Sequence, residues 1–244
     1  MNETFFIVGL GLIMGVIQSI SGGAGVLGVP AMLAFGIPPI NALALNRVSD
    51  LGVIFGALRG FQKSKNIDWK LALQLAIPLG IGAFVGSKII VSIPEHLVRY
   101  VILVGIVVGI IFILLPAKQA APSQKKIALG IFLMFLVGIW DGALALAGAT
   151  FGVLILVHLF GRNFLNAKGT HTAAVIPETL IAIVVLYLSS TISWQPVIAM
   201  FASNFIGAWI GSHLAVRYGD RLIKKAMVAI AVVMIVKVIL DFNG

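Results

Sequence analysis

Three stretches of this chain, Thr4–Ser19, Trp69–Val91 and Leu97–Leu115, run predominantly apolar for 16, 23 and 19 residues. That is close to the ~20 residues an α-helix needs to cross a hydrocarbon core. Only 10% of the residues are charged and 60% are hydrophobic, against about 25% charged in soluble domains. A chain this poor in charge cannot cover itself with a water-facing surface. The alternating apolar–polar rhythm of a membrane β-barrel is missing. The sequence therefore predicts an all-α polytopic membrane protein.

Between the first two apolar segments lies Gln18-Ser-Ile-Ser-Gly-Gly-Ala-Gly-Val-Leu-Gly-Val-Pro30. A helix interrupted there exposes backbone N–H and C=O groups at membrane depth, which is tolerable only inside protein or beside an aqueous cavity. Broken helices are also where transporters build ion and substrate sites. Gly22, Gly23 and Gly25 would let a ligand approach the backbone, and a helix start favours an anion. The other reading is that these glycines only permit close helix packing. Gly23 to Gly28 also fits GxGxxG, but a nucleotide fingerprint needs a preceding strand, and an apolar helix precedes this one.

The first half reads as a helix from Thr4 with Gly11 and Gly15 at GxxxG spacing, the break, and a short return over Val26–Phe35. Helices over Asn41–Phe61, Trp69–Val91 and Leu97–Leu115 follow, and a polar linker covers 116–126. Adding 125 then regenerates the pattern. Asn41-Ala42 becomes Asn166-Ala167, Ile67-Asp-Trp69 becomes Ile192-Ser-Trp194, and Gly82-Ala-Phe-Val-Gly-Ser87 becomes Gly207-Ala-Trp-Ile-Gly-Ser212. Residues 1–115 and 127–244 are thus read as two repeats, each a broken or re-entrant helical hairpin plus three transmembrane helices. The second break is predicted between Asp141 and Phe151.

An odd number of crossings per half inverts the second repeat. It also places Lys63/Lys65, Lys118/Lys125/Lys126, Arg162/Lys168 and Arg217/Arg221/Lys224/Lys225 on one side. By the positive-inside rule that side is cytoplasmic. The expected location is a prokaryotic inner membrane, with both termini outside and the first helix retained, because Met1–Thr4 lacks a basic region. The net charge of +9 then serves topology and contact with lipid, and nucleic acid is not an expected partner. There are no cysteines, and no metal, cofactor or enzyme motif stands out. An oligomer is compatible with the sequence.

Arg47 lies about two turns into its helix, where an arginine costs at least ~2.5–3.5 kcal/mol. Either it pairs with Asp50 three residues on, or it faces a central cavity and holds an anion, with Asn46 and Ser49 adding hydrogen bonds. Both can hold at different steps of a cycle. Asp141 and Glu178 sit midway along apolar segments. Each is read either as a carrier of a coupling proton or as neutralised by a partner such as Arg47 or Lys168. His171 falls 125 after Asn46 and, with Thr170 beside it, is a candidate for the same space, or a packing residue. Lys237 is intramembrane by pattern and has no assigned role.

At these residues the chain resembles the sulfite exporter family of the TauE/SafE type. The resemblance is carried by Gly22-Gly-Ala-Gly25, Val29-Pro30, Gly36-Ile-Pro38, Leu45-Asn46-Arg47, Ile67-Asp68-Trp69, the Gly82–Ser87 run and Gly138-Ile-Trp-Asp-Gly142. It departs where the family usually carries Gly-Pro-Gly-Thr-Gly, for which this chain has Ala145-Leu-Ala-Gly-Ala149, and around Lys168-Gly-Thr-His171-Thr172. The resemblance implies transport of a small sulfur-containing or organic anion (sulfite, a sulfonate or a related carboxylate), with the proton as the candidate driving ion. The two inverted halves add the expectation of alternating access. Two other readings compete with it. One is a divalent cation transporter drawn to Asp50, Asp141 and Glu178, and the other is a non-transporting scaffold or accessory subunit.

Overall fold

The computed structural model describes residues 3–114 and 124–243. The side chains of 3, 106–114, 125, 227 and 230–243 are left aside. The described residues form ten helices in the order α1 Glu3–Ile20, α2 Gly25–Ala34, α3 Pro39–Lys63, α4 Trp69–Ser92, α5 Glu95–Leu114, α6 Gln124–Leu144, α7 Gly148–Phe160, α8 Phe164–Ala174, α9 Ile176–Leu188 and α10 Trp194–Asn243. Residues 116–123 of the linker, and the side chain of Lys237, lie outside what is described. Within α10 the chain turns at Gly219 (φ 61°, ψ −155°), a backbone region essentially restricted to glycine.

Among the described residues three helices are long and apolar enough to cross a membrane: Trp69–Ser92, Lys126–Leu144 and Trp194–Ala226. The pair α8 and α9, bent by 47°, makes a fourth if counted as one span. The first repeat gave no hint of that bend. Its signal in the sequence is Pro177, which ends α8 one turn early and is accommodated in the first turn of α9, where a missing N–H costs nothing. Helices α1, α2 and α7 are apolar but shorter.

Small residues decide which helices touch. α1 lies against α10, with Gly11 and Gly15 under Ser203 and Asn204, and Gly207 and Gly211 under Leu12 and Val16. A Cβ at any of these glycines would strike its neighbour. The pairing of α4 with α6 repeats the device: Gly82 and Gly86 face Phe135 and Ile139, while Gly138 and Gly142 face Leu79 and Ala83. Gly52 and Gly56 bring α3 onto the backbone of Phe201 and Phe205 in α10. Without a hydrophobic drive in lipid, close backbone approach of this kind is what associates helices. The outcome is that α3, α6, α8 and α9 meet in the interior and bury polar side chains there.

Candidate functional site

Two breaks in helix meet at the centre of the molecule. The first, between α1 and α2, turns at Gly22 (φ 78°) and Gly23 (φ 75°). The second, between α6 and α7, turns at Ala145 (φ 55°) and Ala147 (φ 59°), inside the 141–151 window expected from the repeat. They pack on one another: a Cβ at Gly22 would lie 3.0 Å from the Ala149 side chain and from the Thr150 nitrogen, and one at Gly25 would collide with the Ala145 carbonyl.

The freed backbone groups find partners. Gln18 Oε1 accepts from the Ala24 N–H at 2.6 Å. Asn46 Nδ2 donates to the Ala145 carbonyl at 2.8 Å and Trp140 Nε1 to the Leu146 carbonyl at 2.7 Å. Thr150 Oγ1 reaches the Ser21 carbonyl at 3.4 Å. Buried backbone polar groups need such partners, and here half of them come from the opposite half of the chain.

Beside the breaks sits Arg47 of α3, 1% exposed. Its Nη1 lies 3.3 Å from Asp50 Oδ2, 3.4 Å from Asp141 Oδ2 and 3.7 Å from Glu178 Oε1. Carboxylates from α3, α6 and α9 thus converge on one nitrogen. Nε and Nη2, the side edge of the same guanidinium, are buried and have no hydrogen-bond acceptor among the described residues. That edge is the one that grips two oxygens of a planar or tetrahedral anion at once. The same is true of His171 Nε2 and Thr179 Oγ1, which are also buried without a partner.

Arg47, Asp50, Asp141 and His171 border one cavity of about 30 Å³, together with Gln18, Lys168, Thr172, Val175, Thr179 and Ala149. That volume is room for about one or two waters. Glu178 stands outside that lining and touches the cluster through Arg47.

The other residues singled out from the sequence have different surroundings. Gly22, Gly23 and Gly25 are spent on break-to-break packing. Asn46 ties α3 to the second break and is not among the residues lining the cavity. Ser49 is buried and likewise outside the lining. Thr170 is fully buried, and its Oγ1 accepts from the Asp68 N–H at 3.0 Å, which fixes the start of α4 against α8. His171 packs on Gly152, where a Cβ would overlap the imidazole. The offset of 125 therefore relates Asn46 and His171 in sequence without giving them the same neighbours.

Lys168 has two readings in the sequence, a member of a basic loop with Arg162 and a partner to the buried carboxylates. It is 2% exposed within α8 and lines the cavity with Asp50 and Asp141, which departs from the first. The residues that share its cavity include Val53 and Ile54 of α3, far from it in sequence, so the flanking sequence could not reveal its burial. Gln18 was also missed as a site residue. Its amide spans from the first break to Asp50 Oδ1 at 3.2 Å, and the polar residue just ahead of the glycines was the available signal.

The class defined so far is a helical membrane protein with a polar, charge-bearing centre built around two interrupted helices. The family model for the sulfite exporter TauE/SafE matches residues 7–238, nearly the whole chain, and the protein belongs to that family. It is 28% identical over 242 residues to the "Probable membrane transporter protein YfcA" of Escherichia coli (strain K12), covering 96% of this chain and 88% of that one. It is 25% identical over 233 residues to the "Probable membrane transporter protein ORF9" of Sinorhizobium sp, covering 94% and 89%. To the "Probable membrane transporter protein YjnA" of Bacillus subtilis (strain 168) it is 23% identical over 251 residues, covering 96% and 98%. No solved structure matches the chain. It is a membrane transporter by family.

Proposed function

We propose that this transporter is a secondary carrier for a small sulfur-containing or organic anion such as sulfite, a sulfonate or a related carboxylate. The observation that carries the reading is the free Nε/Nη2 edge of buried Arg47 beside a cavity shared by both halves. The anion takes that edge with two oxygens, and Lys168, Gln18, Thr179 and His171 complete its surroundings. The family description points the same way.

In this reading residues 1–115 and 127–244 are inverted repeats that rock against one another, with 116–126 as a cytoplasmic linker. Support comes from the duplicated glycine packing of α1 on α10 and α6 on α4. The basic loops face the cytoplasm of a prokaryotic cell and the termini face outside.

Coupling follows from charge. Arg47 and Lys168 face three carboxylates, so an arriving anion adds to an interior already rich in negative charge, where an uncompensated ion is costly. A proton placed on Asp50, Asp141 or Glu178 offsets the anion's charge, and His171 is the fourth titratable group at the cavity. Anion and proton then travel together.

The excess of carboxylates over cations also favours a second reading, transport of a divalent cation. Purified protein in liposomes separates them. Labelled sulfite or methanesulfonate should accumulate inside when the interior is alkaline, and Arg47→Ala should abolish it. Wild-type flux in Arg47→Ala, or stabilisation against heat by divalent metals and not by sulfonates, would overturn the anion reading.

A further inference from the structure

Two larger cavities lie apart from the central one. One, of about 310 Å³, lies between the α2–α3 turn and the α9–α10 loop, lined by Phe35, Ile37, Asn41, Leu45, Ser193 and Pro196 among others. The other, of about 280 Å³, lies between the α3–α4 loop and the α7–α8 turn, lined by Asp68, Lys70, Leu71, Gln74, Phe160 and Arg162 with Ile127. Adding 125 to Phe35, Ile37, Asp68 and Leu71 gives Phe160, Arg162, Ser193 and Pro196. Four positions of one cavity thus correspond to four of the other.

The lining of each cavity includes one polar link that joins the two halves. In the first, Asn41 Nδ2 donates to Thr191 Oγ1 at 3.1 Å and the Thr191 N–H donates to Asn41 Oδ1 at 3.2 Å. In the second, Arg162 Nη2 pairs with Asp68 Oδ2. Asn41 lies on α3 six residues before Arg47, and Arg162 lies in the turn just ahead of α8, the helix that carries Lys168.

We propose that Asn41–Thr191 and Asp68–Arg162 are the two gate latches of the transport cycle, one for each side of the membrane. Each cavity is the vestibule that its latch separates from the Arg47 site. Both are fastened in this structure. The latches differ in kind. One is a pair of neutral, exposed hydrogen bonds, while the other is a charge-assisted bond between groups 39% and 25% exposed. Asp68 also caps α4 through the Leu71 N–H at 3.0 Å, so Arg162 is the partner to alter when only the latch is to be broken.

This inference rests on the transport reading but not on any particular cargo, and its test needs no cargo. The chain has no cysteine, so Thr172→Cys puts a single thiol in the central cavity. Sealed vesicles of known orientation are treated with a membrane-impermeant maleimide from one side at a time. Adding Arg162→Ala should raise labelling about fivefold, from the side of the Lys63/Lys65 loop alone. Asn41→Ala should raise it about twofold, from the opposite side alone. Arg162→Lys, which keeps the charge, should label like the parent. Unchanged labelling in both alanine variants, or a rise from the same side in both, overturns the proposal. Should Arg162→Ala fail to fold, Asn41→Ala decides: no rise, or a rise on the Lys63/Lys65 side, overturns it. Absence of sulfite flux in the protein without Thr172→Cys, with the labelling pattern intact, would refute the cargo and leave the gates standing.

Discussion

The two helix breaks do the same work with different residues. The first turns on glycines, for which a left-handed backbone carries no steric cost, and its Gly25 has no room for a side chain. The second turns on Ala145 and Ala147, each holding a left-handed backbone at a cost of about 1–2 kcal/mol. It persists because its neighbours over-determine it: Asn46 holds the Ala145 carbonyl, Trp140 the Leu146 carbonyl, and the Trp140 ring lies 5.8 Å from Phe151. One break is shaped by its own sequence, the other by its surroundings. Strain of the second kind is typical of sites held ready by the rest of the fold.

That contrast can be broken by substitution. Gly25→Ala should have the largest effect, because the new Cβ meets both the Ala145 carbonyl and the Asn46 amide. A loss of about 3 kcal/mol, or failure to fold, is expected from thermal unfolding in detergent. Asn46→Ala should follow at about 1–3 kcal/mol, since it leaves the Ala145 carbonyl buried without a donor. The same variant should weaken anion binding only through the altered break. Asn46→Asp, which keeps the size but offers no amide donor, should be as damaging.

Gly23→Ala and Ala147→Gly form a reciprocal pair with smaller effects of opposite sign. The first should destabilise by about 1 kcal/mol through its positive φ, and the second should stabilise by a few tenths to 1 kcal/mol. Differential scanning of the two against the parent gives the sign directly. Equal destabilisation by both would mean the second break is not strained. Thr150→Val should cost least, about 0.5 kcal/mol, because its contact with the Ser21 carbonyl is long at 3.4 Å.

The first break was readable from the sequence because glycine is a local signal: four in seven residues between apolar runs leave few alternatives. The second was located only by analogy, through the 125-residue offset, since alanine carries no such mark. Arg47 was legible for a different reason, the cost of a charge two turns inside an apolar helix. Its pairing with Asp50 is local and was foreseen. Its contacts with Asp141 and Glu178 join α3 to α6 and α9, and no spacing in the chain encodes them. Lys168 shows the limit most plainly. Its sequence neighbours Arg162 and Asn166 look like a loop, and its burial comes from the packing of α8 among helices distant in sequence, with Arg47 and Asp50 of α3 and Asp141 of α6 around the same cavity. Thr170 was expected at the site for its closeness to His171, but adjacent residues of a helix point about 100° apart, and its hydroxyl serves Asp68 instead.

The account turns on the unoccupied side edge of Arg47 as the grip on the anion. The most direct measurement is binding of methanesulfonate and sulfite to purified wild-type protein and to Arg47→Lys by isothermal titration calorimetry. Lysine keeps the charge but has no planar pair of donors. The account predicts that the wild type binds and that Arg47→Lys loses at least about tenfold in affinity, near 1.4 kcal/mol, while its fold holds. Undiminished affinity in Arg47→Lys would contradict it.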